Sequence, residues 1–115
     1  MMIGDVTTQA LHAALTGLDS RRLAHENNLA NIETPGYKAR SIEFESQLRN
    51  AISAGSPLAA GQEVRVSSAA GRGNGNNVEV DKEIVGLTET ALTQQLVIRA
   101  LNDKYGLIRE AVRSF

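Results

Sequence analysis

From residue 80 onward, apolar residues recur with a period of three and a half. One heptad row runs Val80, Leu87, Gln94, Leu101, Ile108 and Phe115, and a second, four residues on, runs Ile84, Ala91, Ile98, Tyr105 and Val112; 10 of these 11 positions are apolar. A repeat of that period, sustained to the last residue, is the seam of a long helix packed against another helix. Asp81 reads as its N-cap, with Val80 and Val85 placed as a hydrophobic staple across the first turn. Arg109 and Arg113 suit the negative end of its dipole. Gly86 and Gly106 each weaken the helix by about 1 kcal/mol relative to Ala, so packing must hold it.

The start of the chain repeats the theme. Between Asp5, a second candidate cap, and Ile32, the residues Leu11, Leu15, Leu18, Leu29 and Ile32 keep heptad spacing, while Arg22 and His25 interrupt it. Neither His12 nor His25 has a partner of metal-ligand character three or four residues away, so both read as helix-face residues rather than ligands. At 1.5 Å per residue the two helices would be about 40 and 50 Å long. A compact chain of this size has a radius of gyration of about 13 Å, so the molecule is expected to be a rod. Leu23, Leu92, Leu96 and Leu107 fall off the main rows. Burying each would contribute about 1.5–3 kcal/mol, which favours association into an oligomer or filament.

Residues 53–77 divide these helices, and 18 of the 25 are Gly, Ala, Ser, Asn or Pro. Such a stretch has little to bury and much backbone entropy to lose, and is expected to be a flexible loop. Val64 and Val66, alternating with Glu63 and Arg65, leave room in it for a short strand or β-hairpin. Gly71, Gly73 and Gly75 do not form a phosphate cradle, since neither Gly-Lys-Ser/Thr nor the third glycine of GxGxxG follows. The 12 Lys and Arg against 13 Asp and Glu are spread evenly along the chain, which speaks against a nucleic-acid surface. With no cysteine and two isolated histidines, neither a thiolate nucleophile nor a zinc site is expected. No cofactor, small-molecule substrate or catalytic set is foreseen, because Glu43 and Glu45 diverge on a helix and nothing nearby tunes them. The first ten residues lack a basic and an apolar region, so a cleaved secretory signal is not expected.

The first helix is expected to stop at Asn28, Asn31 and Thr34-Pro35-Gly36-Tyr37-Lys38. Pro35 removes an N–H and disfavours helix at Thr34, and Pro-Gly suits the centre of a type II turn with Gly36 at the positive-φ position. After it, Ser41 reads as the N-cap of a short amphipathic helix over 41–52, with Ile42 or Phe44, Leu48 and Ile52 on its apolar face.

The segment HENNLANIETPGYKAR, with SIEFESQL after it and VEVDKEIVGLTETALTQQLVIRALNDKYGLIREAV at the end, resembles the flagellar axial proteins of the rod and hook group, and within it the basal-body rod family. The resemblance covers residues 5–52 and 74–115, about four-fifths of the chain. It implies a mainly α fold. Long N- and C-terminal helices pair as an elongated coiled-coil-like bundle, with a short helix after the Pro-Gly turn and a Gly/Ser/Asn-rich loop. The expected division of a single elongated domain 1–115 is helix 5–32, turn 33–40, short helix 41–52, loop 53–77 and helix 78–115.

The resemblance also implies a structural role and not an enzyme. It implies a subunit made in the cytoplasm, exported without cleavage by the flagellar type III apparatus, and polymerised helically in the periplasm into the drive-shaft rod. Implied partners are further copies of the chain, the sister rod protein FlgC and neighbouring rod subunits, the rod adaptor FliE, the membrane-supramembrane ring and the export gate. Phe44 and Leu48 match a short Phe-x-x-x-hydrophobic motif that the gate reads in such subunits, although packing alone also accounts for them. Two alternatives use the same seams: a cytoplasmic coiled-coil adaptor, and FlgC itself.

Overall fold

The computed structural model describes residues 5–114. Phe115, the expected last member of the first heptad row, lies outside the described residues, as do positions 1–4. The described chain is mainly helical and elongated, measuring 67 × 26 × 14 Å with a radius of gyration of 17.9 Å. Helix α1 spans Val6–Ala30, strand β1 Arg40–Glu43, helix α2 Glu45–Ser53, strand β2 Glu63–Val66 and helix α3 Val80–Arg113. A 3-10 turn at Pro57–Ala59 lies between α2 and β2.

Asp5 caps α1 as its position predicts: its Oδ1 accepts the Thr8 N–H at 2.8 Å. The same carboxylate meets Lys104 Nζ of α3 at 2.9 Å. The Thr8 amide, then Lys104, hold the Asp5 carboxyl down at about 2. Tyr105 meets His12 at 2.9 Å, and Glu83 meets His25 at 2.7 Å, so α1 and α3 run antiparallel with polar clasps near both ends. Both histidines thus have partners on the other helix, far away in sequence.

Between the long helices the chain forms a two-stranded antiparallel ribbon, Arg40 opposite Val66 through Glu43 opposite Glu63. Two expectations are corrected by it. The strand at Glu63–Val66 pairs with β1, not with a neighbour inside the loop. The short helix starts at Glu45, not at Ser41, which sits in the ladder opposite Arg65. Ser41 is a good cap in isolation, but cross-strand hydrogen bonds to the alternating Glu63-Val64-Arg65-Val66 segment use its backbone instead. Glu43, one residue before the helix cap, accepts the Ser46 N–H at 3.2 Å and takes over part of the capping role.

Helix α3 begins two residues earlier than Asp81 would dictate. Its cap is Glu79, which makes no side-chain cap hydrogen bond, and Asp81 lies inside the first turn. Val80 is then the first helical residue rather than the outer half of a staple. The preceding Gly/Asn-rich strap, residues 71–78, fixes this start: Arg72 Nη1 donates to Val78 O at 2.7 Å and Asn76 Oδ1 accepts the Val78 N–H at 2.9 Å.

The interior is small. Among the described residues the buried large apolar side chains are Leu18, Phe44, Val78 and Leu101, whereas Thr8, Asn28, Asn76, Asn77, Glu83 and Thr90 are buried polar ones. Among the described residues no helix is long and apolar enough to cross a membrane.

Candidate functional site

Two features organise the molecule: a hydrogen-bonded corner where α1, β1, α3 and the Gly/Asn-rich strap meet, and the apolar faces of α3 that point away from α1.

At the corner Asn28 is 1% exposed, and its amide meets four partners. Nδ2 donates to Arg40 O and to Glu83 Oε1, both at 2.8 Å, while Oδ1 accepts from Arg40 N at 3.0 Å and from Tyr37 Oη at 3.1 Å. A primary amide has two donors and two acceptor lone pairs, so all of its capacity is used. Asn31 closes the helix by donating Nδ2 to Asn27 O at 2.8 Å, and its Oδ1 accepts the Thr34 hydroxyl at 3.0 Å. Then comes the predicted turn: Tyr37 N donates to Thr34 O at 3.2 Å across Pro35 and Gly36, with Gly36 at φ 74°. Pro35 and Gly36 themselves are exposed. Lys38 Nζ reaches Gly75 O at 2.5 Å.

The strap was expected to be flexible, and here it is pinned instead. Asn76 donates to Asn31 O and Thr34 O, both at 2.8 Å, and Asn77 Oδ1 accepts the Ala39 N–H at 2.6 Å. Arg72 also donates to Ile32 O at 2.7 Å, and Gly36 N donates to Asn74 O at 2.8 Å. Asn76 and Asn77 are buried because they satisfy main-chain groups that the turn leaves open. Composition hides this, since short polar residues in a glycine-rich run read as solvated. The faint signal is their place immediately ahead of Val78.

A second anchor that sequence spacing does not disclose is Arg21. Its Nη2 and Nε donate to Ile42 O at 2.7 and 3.2 Å, and its fork pairs with both Glu45 oxygens at 2.7 and 2.6 Å. The guanidinium lies 4.7 Å over the Phe44 ring. It is the main reason that the Glu45 carboxyl sits at about 2. Asp5 and Glu45 therefore both titrate below their unfolded values of about 4. Such groups stabilise the fold above the unfolded value, and that contribution disappears as pH falls through the folded one. Acid unfolding of the chain should accordingly steepen between about pH 4 and 2, and Glu45→Gln should flatten that limb. Circular dichroism across this window checks it, and an unchanged limb in the variant would remove Glu45 as a contributor.

The predicted seam divides in two. Leu18 and Leu101 are buried within the chain, at 3% and 6% exposure, while Leu11, Leu15, Leu29, Ile32, Leu87, Tyr105 and Ile108 are half-buried. Ile84, Ile98 and Val112 stand 51%, 47% and 65% exposed. The row Leu87, Gln94, Leu101, Ile108 does face α1, but its companion is Glu83, Thr90, Val97 and Lys104 rather than Ile84, Ala91, Ile98 and Val112. Period alone permits either companion. The polar one wins because Glu83 meets His25 and Asn28, Lys104 meets Asp5, and the Thr90 hydroxyl is satisfied by Gly86 O at 2.7 Å. Gly86 lies against the His25 ring, where a methyl group would collide.

Phe44 and Leu48 adjoin at the start of α2, with Leu48 N donating to Phe44 O at 2.8 Å. The Phe44 ring is 5% exposed and packs on Gly17. Among the described residues there is no cluster of three or more His, Cys, Asp or Glu side chains that could hold a metal ion.

No family model matches the chain. It is similar, however, to the flagellar basal body rod protein FlgB of Bacillus subtilis, at 28% identity over 116 aligned positions covering 90% of each chain. The protein of the same name from Cereibacter sphaeroides is 29% identical over 117 positions, covering 90% of this chain and 91% of that one. That of Borreliella burgdorferi is 27% identical over 108, covering 75% and 80%. The shared name agrees with the motifs at both ends, and over most of its length the chain is FlgB-like, similar to flagellar basal-body rod proteins.

Proposed function

We propose that this protein is a structural subunit of the proximal flagellar rod, a single elongated rod domain that polymerises helically into the shaft transmitting torque. The observation that supports this most directly is the second apolar face of α3. Leu92, Leu96 and Leu107 stand 57%, 66% and 69% exposed on a helix whose other side already packs on α1, and Ile84, Ile98 and Val112 flank them. Large apolar side chains grouped on a helix surface that its own chain leaves open mark a contact with another protein. Copies of the chain, FlgC and neighbouring rod subunits supply that cover, and FliE and the membrane-supramembrane ring meet the base.

Leu92→Glu with Leu96→Glu tests this. Both residues are largely exposed in the monomer, so its stability should change by no more than about 0.5 kcal/mol each. In the assembled state each removes about 1.5–3 kcal/mol of burial and adds a charge to a dry contact, repeated at every subunit. The expected result is a folded subunit, a non-swimming strain, and basal bodies whose rod is missing beyond the ring in electron micrographs. Normal rods and swimming would refute the assignment of this face. A protein retained in the cytoplasm independently of the type III apparatus would favour an adaptor role instead.

The same reading has the chain exported unfolded, with Phe44 and Leu48 read by the export gate before they pack. Burial of the Phe44 ring is consistent with a signal displayed only by the unfolded chain. Because secretion precedes folding, Phe44→Ala should lower the secreted amount irrespective of its effect on the folded subunit. Wild-type secretion would leave Phe44 with packing alone.

A further inference from the structure

Asn74-Gly75 is the only Asn-Gly pair in the chain. In such a pair the main-chain nitrogen of the glycine can attack the side-chain amide carbon of the asparagine, because no Cβ on the following residue hinders it. The new N–C bond closes a succinimide, ammonia leaves with the proton from the glycine nitrogen, and water then opens either carbonyl to give aspartate or isoaspartate. Asn74 is exposed, so water reaches it.

Both reacting groups are nevertheless held. Gly75 N–H, which must lose its proton, donates to Arg72 O at 2.7 Å, and the Asn74 Oδ1 accepts the Asn76 N–H at 3.0 Å. Turning the amide carbon onto the Gly75 nitrogen breaks the second bond and competes with the first. The main chain on either side is fixed as well: Asn74 O accepts from Gly36 N at 2.8 Å, and Gly75 O accepts from Lys38 Nζ at 2.5 Å. Gly75 has φ 85° and approaches Gly36 closely. Ring closure needs this arrangement to open.

We propose that Asn74 is a deamidation site gated by folding, which the intact corner suppresses and any opening of the strap releases. The product is not neutral for the corner. Isoaspartate routes the main chain through an extra methylene between residues 74 and 75, so the Gly36 and Lys38 bonds cannot both re-form in their present register. Conversion would therefore mark chains that have spent time with the strap open and hinder them from regaining the native turn. The inference rests on the strap's own geometry and is independent of assembly into a rod.

The test compares three samples in one buffer at neutral pH and 37 °C: the full chain, the full chain carrying Asn76→Ala, and a synthetic peptide Ala70–Glu79. Conversion at Asn74 is followed by peptide mass and by isoaspartyl methyl-acceptor assay. The full chain should convert at least about tenfold more slowly than the peptide, as closed local structure requires. Asn76→Ala, which removes the ties to Asn31 and Thr34 while keeping the Asn74-Gly75 pair, should move the rate toward that of the peptide. Equal rates in full chain and peptide, or an Asn76→Ala rate unchanged from the full chain, would overturn the proposal.

Discussion

Replacing Asn28 with alanine should destabilise the subunit by about 3 kcal/mol, since it removes the partners of one buried and three part-buried groups at once. The Arg40 N–H and C=O, the Tyr37 hydroxyl and Glu83 Oε1 all meet this one amide. Each buried group left unpaired costs about 1–3 kcal/mol, against a total stability of about 5–15 kcal/mol for a whole domain. Tyr37 can turn toward solvent and Glu83 keeps His25, so the main-chain groups of Arg40 carry most of the loss. Asn28→Asp separates this account from one of simple volume. The carboxylate is nearly isosteric and keeps both acceptor contacts, yet it places a second negative charge against Glu83. It should therefore be destabilising near neutral pH despite its shape. Thermal melts of both variants decide the matter, and a neutral Asn28→Asp would mean that the four-bond arrangement contributes little.

The second large effect is expected at Gly17, where helix propensity and packing oppose each other. Glycine inside α1 should cost about 1 kcal/mol relative to alanine, so propensity alone predicts that Gly17→Ala stabilises. A methyl group there would overlap Cγ, Cδ1 and Cδ2 of Phe44, a ring pressed between α1 and the Arg21 guanidinium. Overpacking of this kind costs about 1–3 kcal/mol, which reverses the sign or at least cancels the gain. The variant is expected to be less stable, and the Phe44→Ala background should convert the same substitution into a neutral or favourable one. That non-additivity is the diagnostic, because the two residues are in contact. Additive effects in the cycle would show that the ring simply moves aside.

How far the sequence disclosed this structure depended on whether the deciding interaction was local. The Asp5 cap and the Pro35-Gly36 turn involve residues within three of each other, and both formed as their chemistry dictates. The long helices were equally legible, because a heptad row integrates many weak signals. Ser41 shows the limit. Its cap signal is real, but the strand partner that overrides it begins at Glu63, on the far side of α2. The companion row of α3 misled for a related reason. Ile84, Ala91 and Ile98 are the more apolar choice, yet the contact inside the chain goes to Glu83 and Thr90, whose polar groups find matching partners on α1 or within their own helix. Hydrophobicity ranks a face by its wish to leave water, not by which neighbour covers it. Asn76 and Asn77 escaped notice because their ligands are main-chain atoms, which have no signature in the letters.

The polar interior of this subunit bears on its thermal behaviour. Unfolding raises heat capacity through newly wetted apolar surface and lowers it through newly wetted polar surface. A chain that buries few large apolar side chains beside a fully bonded set of amides starts with less of the first and more of the second. Its stability curve alone should be unusually flat, with little gain on cooling and a broad melt. If the chain assembles as proposed, the strong temperature dependence typical of a protein core would arise at the contacts between subunits, and sharp cooperativity would belong to the assembly rather than to its parts.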